Sequence, residues 1–186
     1  ADASGLARGC IRAQGIVVVM AVVFTAVLGV LLGVVYGATD FANAESVTVL
    51  VVAPAMIGVV HLATLYLHEL GHMMMARLHG ARVFSVVTRG RRVGLRRERV
   101  SPTSDIQISA AGPLLAGLFC LAGVGILQSF APGFGLTTVT GMMSACFLLY
   151  TFGHLVSLTP VAEDGRNIAR SLRRELGATR EGVATP

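Results

Sequence analysis

The stretch His68-Glu69-Leu70-Gly71-His72 decides how this chain is read. On a helix, residues four apart lie one turn from each other on one face, so two imidazoles at this spacing can ligate one Zn²⁺. A glutamate beside the first histidine then reaches a water at the metal and can take its proton. The pattern predicts His68 and His72 as metal ligands and Glu69 as general base. It stands inside a long apolar run, Val47 to Leu78. The expected site therefore lies within a membrane.

Composition supports that setting. The chain has 186 residues, of which 54% are hydrophobic and 13% charged. Soluble domains carry roughly 25% charged residues, so this chain has too little charge to cover a water-facing surface. Its length suits one domain, residues 1–186. All fifteen basic residues are Arg, and the Ala, Gly and Val content points to a GC-rich bacterial genome. Cys10, Cys120 and Cys146 are odd in number and show no framework spacing, so no disulfide framework is indicated, and Cys120 and Cys146, in apolar segments, are expected as small buried thiols.

Working outward from the motif, the expected architecture is an all-α polytopic membrane protein with four transmembrane helices. The first is Ile16 to Tyr36, long enough to cross a bilayer and longer than the apolar core of a cleaved signal peptide. Gly29, Gly33 and Gly37, four apart, would let a second helix approach closely. Ala1 to Gln14 before it reads as a polar segment. The second span is about Pro54 to Leu78, with Pro54 marking its start or a kink. The third is Ile106 to Phe130 and the fourth Thr137 to Leu158. Ile168, Leu172 and Leu176 recur on one face of a basic amphipathic helix, about 166–177, expected on the membrane surface. The last ten residues read as disordered.

Between the second and third spans, Val83 to Val87 is rich in β-branched residues. Arg89-Gly90-Arg91 is a turn candidate, and Val93 to Val100 can return as a second strand. A short β-hairpin is expected there. Its seven Arg residues fit a surface facing lipid headgroups of the bilayer. No nucleic-acid module accompanies them, so nucleic acid is not an expected partner. Every Arg falls in the N-terminal segment, this loop or the C-terminal tail, save Arg77 at the end of the second span beside the loop, and the other two loops hold none. That distribution predicts cytoplasmic termini, a cytoplasmic hairpin and an active site near the cytoplasmic face of a bacterial cell membrane.

Two histidines need a third protein ligand. The candidates are Asp164, its neighbour Glu163, and His154 in the fourth span. Asp164 falls just past Pro160 and before Gly165, which permits an unusual backbone turn. The second and fourth spans run in the same direction, which puts Asp164 at the depth of His68 and His72. His154, about ten residues earlier, reads as too deep. On an ideal helix His61, His68, His72 and His79 fall in one narrow stripe. His61 is two turns from His68, about 10 Å along the axis, too far to share the metal. His61 and His154 are candidate residues of the surrounding cavity, and His154 can approach His61. His79 is expected to be solvated.

HELGH in an apolar helix, Ala111-Gly112-Pro113 opening the next span, and Pro160 followed by Asp164-Gly165 together resemble the site-2 protease family of intramembrane zinc metalloproteases. The resemblance covers roughly Pro54 to Asn167, without a PDZ-like domain. It implies a helical membrane bundle that hydrolyses peptide bonds in or beside transmembrane segments of protein substrates. It implies His68, His72 and Asp164 as Zn²⁺ ligands and Glu69 as general base. It also implies that the loop after the second span docks extended substrate along a strand edge, with Val83 to Val87 as candidate. The chain departs from the family at three positions: Ala116 and Val156 stand where an Asn is common, and Pro160 is one residue closer to Asp164. Those departures keep a rival open, a zinc-binding but inactive membrane scaffold. A zinc protease whose third ligand is a later Glu, and a transporter, are further alternatives.

Overall fold

The computed structural model describes residues 2–35, 44–90, 92–130, 132 and 139–183. Five helices and one β-hairpin appear in the order α1 (Ala3–Val35), α2 (Ala44–Leu78), β1 (Val83–Arg89), β2 (Arg92–Arg97), α3 (Pro102–Phe130), α4 (Val139–Ser157) and α5 (Glu163–Val183). The mostly helical class with a small sheet is as expected. Among the described residues one helix, α3, is long and apolar enough to cross a membrane. Tyr36 to Asn43, with Gly37 and Asp40, lie outside the described residues, as do Ala131 and 133–138. Gly37 of the expected Gly29, Gly33 and Gly37 spacing and most of the expected turn at 131–136 fall there.

The N-terminal segment corrects the sequence reading. It is not a polar lead-in but the first turns of α1. Leu6, Cys10 and Ala13 are buried, and Leu6 and Cys10 join Met73 of α2 in a cluster that Val83, Val86, Val93 and Leu95 of the hairpin cover. Spacings of four and three put these three on one helical face. Asp2 caps the helix, its Oδ1 accepting the Gly5 N–H at 2.9 Å. That backbone hydrogen bond, followed by one from Ser4, holds the Asp2 carboxyl below its usual range.

Helix α2 begins at Ala44, so Pro54 does not mark its start. The hairpin forms where expected. Val86 pairs with Leu95 and Arg89 with Arg92, antiparallel, with a bulge between Val83 and Ser85. Gly90 takes φ 59° at the turn, a left-handed conformation that favours glycine. Ser101 caps α3, accepting the Ser104 N–H on Oγ at 3.2 Å. The helix therefore starts at Pro102, before the expected Ile106.

Helix α2 packs against α1, α3 and α4. Val60, Cys120, Met143 and Phe147 form the core between α2, α3 and α4. The α2–α3 contact is closest at Gly71 and Gly112. A Cβ at Gly71 would meet Ala111 O at 2.5 Å and Gly112 Cα at 2.9 Å. Only glycine allows the two backbones to touch this way, which explains both the Gly of HELGH and the Gly of Ala111-Gly112-Pro113.

Helix α5 starts at Glu163 and continues to Val183, so most of the tail read as disordered is helical. It docks on the start of α3 through side chains. Ser171 Oγ donates to Asp105 Oδ2 at 2.6 Å, and Thr103 Oγ1 donates to Glu175 Oε1 at 2.6 Å. Arg97 of β2 pairs with the other oxygen of Asp105. Ser171 is buried, whereas Leu172 and Leu176 face outward.

Candidate metal centre

The two histidines of HELGH lie on one face of α2, with ring centroids 4.8 Å apart and planes nearly perpendicular. Asp164, in the first turn of α5, reaches both. Its Oδ2 is 3.1 Å from His68 Nε2 and its Oδ1 3.4 Å from His72 Nε2. The two Nε2 atoms are 3.1 Å apart. These three residues form a group that can hold a metal ion, their ligand atoms all within 4.8 Å of one another.

The donor set is two neutral-capable imidazoles and one carboxylate, the kind that binds zinc with a position left open. Ligand atoms at about 2.0–2.1 Å from Zn²⁺ on the corners of a tetrahedron lie about 3.3 Å from each other. The two Nε2 atoms stand 3.1 Å apart and each faces a different oxygen of Asp164, at 3.1 and 3.4 Å, separations close to that spacing. Burial works against a charged carboxylate at Asp164, but hydrogen bonds from His68 and His72 outweigh it and hold its carboxyl well below the usual range. The carboxylate is thus already in the ligating form.

Local structure explains how Asp164 arrives. After α4 the chain turns through Leu158 to Ala162, and Arg166 N–H donates to Ala162 O at 3.0 Å as α5 begins. Gly165 is buried against this turn. A Cβ there would lie 1.9 Å from Thr159 O and 2.6 Å from Leu158 O. The glycine is needed for close approach, and not for the unusual backbone turn expected of it: among the described residues only Gly80 and Gly90 have positive φ. Two carboxylates in the first turn, Glu163 and Asp164, also suit the positive end of the helix dipole.

The remaining nitrogen of each ligand is held. His72 Nδ1–H donates to Ile108 O of α3 at 2.7 Å, so Nε2 is the nitrogen turned to Asp164 and the one a metal ion would take in place of its proton. The partner of His68 Nδ1 is His154 Nδ1 of α4, at 3.4 Å. His154 is therefore not too deep, as the residue count suggested, and its ring lies against His68, 5.4 Å between centroids. Counting rise along α4 assumed that Asp164 continues the same axis. The turn at Leu158 to Ala162 breaks that axis and brings Asp164 in on a separate helix. His61 does not join the group and stacks at a tilt on Tyr150, with centroids 5.9 Å apart. His79 is exposed, as expected.

A cavity of about 390 Å³ opens beside the group, lined by His68, Glu69 and His72 of α2, Ile108 and Ser109 of α3, and Glu163, Asp164 and Asn167 of α5. Its fourth wall is β2, through Val93, Gly94, Leu95 and Arg97. The strand beside the site is thus β2 and not Val83 to Val87, whose Val86 packs toward Leu6 and Cys10. Glu69 is only 7% exposed and faces the same cavity as the two histidines. Ala116 is fully buried and Val156 is 38% exposed, and neither brings a polar side chain to the cavity. Ser109 and Asn167 are the uncharged hydrogen-bonding side chains on its wall. The sequence reading missed both. The one signal for Asn167 was its position three residues after Asp164, which places it on the same face of a helix.

No protein-family model, no curated protein and no solved structure matches this chain.

Proposed function

We propose that the chain is a membrane-embedded zinc metalloprotease of the site-2 protease kind, hydrolysing peptide bonds in or beside transmembrane segments of other proteins. The observation that carries this reading is the triangle of His68, His72 and Asp164 with buried Glu69 on the wall of the same cavity. Zn²⁺ bound there would supply Lewis acidity and make a nearby water acidic enough to lose a proton at neutral pH. Asp164 and the two imidazoles would hold the ion, and Ile108 O fixes the orientation of His72. Glu69 takes the proton from the attacking water and returns it to the leaving amine. Ser109 and Asn167 are placed to donate to the scissile carbonyl or its neighbours, the task for which Ala116 and Val156 have no polar atom.

A substrate helix must unwind locally before its carbonyls are reachable, because they are bonded within the helix. The free edge of β2 beside the cavity suits an extended segment that adds as a strand. Four spans, formed by the apolar parts of α1 to α4, complete the proposal. The N-terminal turns of α1, the hairpin and the start of α3 with α5 cluster at one end of the bundle. These carry the Arg residues, which supports cytoplasmic placement of that end.

A second reading is a zinc-binding scaffold without turnover, favoured by the apolar residues at 116 and 156. The deciding experiment measures zinc content and cleavage of a model transmembrane substrate by purified protein and by Glu69→Gln. Cleavage that Glu69→Gln abolishes supports the protease. Zinc without cleavage supports the scaffold, and equal cleavage by Glu69→Gln ends the proposed mechanism.

A further inference from the structure

We infer that His154 is a positioning residue that fixes the tautomer and ring orientation of the metal ligand His68. The inference rests on the reading of His68, His72 and Asp164 as a metal centre and assigns a role that the ligand set alone does not contain. A histidine that ligates through one nitrogen needs its other nitrogen held, since that contact sets where the proton sits and which way the lone pair points. His72 has such a contact in Ile108 O. His68 ligates from Nε2 as well, and the contact the structure gives its Nδ1 is His154 Nδ1 at 3.4 Å.

The proton balance fixes the roles. His68 must keep Nε2 free for the metal, so its proton is on Nδ1 and it is the donor. His154 Nδ1 is then the acceptor, and the His154 proton is on Nε2. His154 Nε2 is a buried atom with no hydrogen-bond partner among the described residues. A buried polar atom without a partner is rare and calls for an explanation, and the use of Nδ1 at the other end of the ring supplies one. The ring geometry agrees: the two imidazoles are tilted 33° with centroids 5.4 Å apart, so the facing Nδ1 atoms, at 3.4 Å, are much nearer than the ring centres. Two helices therefore orient the two imidazole ligands of α2, with α3 acting on His72 and α4 acting on His68.

The test compares full-length, detergent-purified wild type with His154→Ala, His154→Asn and His154→Gln, using Zn²⁺ affinity and the visible absorption spectrum of Co²⁺-loaded protein. The amide oxygen of Asn can take the place of Nδ1, whereas that of Gln extends toward the position of Nε2. The expected result is a roughly 10- to 100-fold loss of Zn²⁺ affinity in His154→Ala and His154→Gln. The Co²⁺ spectrum should change in both, and His154→Asn should restore affinity and spectrum. Wild-type affinity and spectrum in His154→Ala overturn the inference. So does a loss that Asn and Gln share equally, which marks a packing role only. Asp164→Ala serves as the control for the centre itself. If wild type and Asp164→Ala bind Zn²⁺ alike, the metal centre is misassigned and the inference falls with it. If Asp164→Ala loses Zn²⁺ while His154→Ala does not, the centre stands and the role of His154 alone fails.

Discussion

Gly112 and His72 are so close that a methyl group on Gly112 would sit 2.4 Å from His72 Nε2, the atom that faces Asp164. The α2–α3 crossing and the metal centre are thus one packing arrangement. The ring of His72 fits between a glycine on one side and the hydrogen bond to Ile108 O on the other.

Gly112→Ala is therefore expected to displace the His72 ring. Overpacking of this kind costs about 1–3 kcal/mol, and the loss should appear first as weaker zinc binding. Metal analysis after dialysis, alongside thermal unfolding of the chelated protein, separates the two effects. Zinc bound as in wild type would show that the α2–α3 contact relaxes without touching the site.

Glu69→Gln keeps the shape of the side chain and removes its basicity. Zinc content should be unchanged, and cleavage of a transmembrane substrate should fall by roughly 10²- to 10⁴-fold, the usual worth of a positioned acid–base group.

Asp164 supplies a pH signature in chelated protein. Its carboxyl is held below the unfolded value by His68 and His72 against the effect of burial. The sign follows directly: stability from this contact is complete above about pH 3.9, the unfolded value, and is lost as pH falls through the lower folded value. Asp164→Asn should remove that acid-side dependence and also abolish tight zinc binding. Urea unfolding between neutral and acid pH in the presence of chelator measures it. An unchanged acid limb in the variant would mean that the histidines do not hold the carboxylate.

Gly94 lies on the β2 wall of the cavity, and a Cβ there would meet nothing within 4 Å. Gly94→Val should therefore fold and bind zinc normally. It should still hinder an extended segment from lying along β2, lowering kcat/KM for a transmembrane substrate on the order of tenfold, the scale of a few methyl groups in a binding pocket. A short soluble peptide should be affected less. Equal rates for both substrates would argue that substrate does not lie along β2.

These residues also mark how far a sequence alone carries. The pairing of His68 with His72, and Glu69 beside them, follows from helical periodicity, which is a local property. Asp164 follows from order along the chain and from resemblance, and its contacts with both histidines agree. What failed was directional. The depth count for His154 treated α4 and the segment after it as one line, and the turn before α5 invalidates that. β-branched residues mark strands, but both strands of a hairpin share them, so the pattern does not say that β2 and not β1 borders the cavity. The buried face of Leu6, Cys10 and Ala13 was present as a helical stripe, hidden by the polar residues between them.

Helix α5 has a consequence of its own. It carries one of three ligands, and it is fastened to the bundle by Asp105, Ser171, Thr103 and Glu175 at its middle. An ion bound by all three ligands rivets this outer helix to α2. By reciprocity, whatever loosens α5 weakens the grip on the ion, and loss of the ion loosens α5 to the same degree. Occupancy of the candidate metal centre would be readable at a distance from it, as protection of the backbone amides of Glu163 to Glu175 from hydrogen exchange.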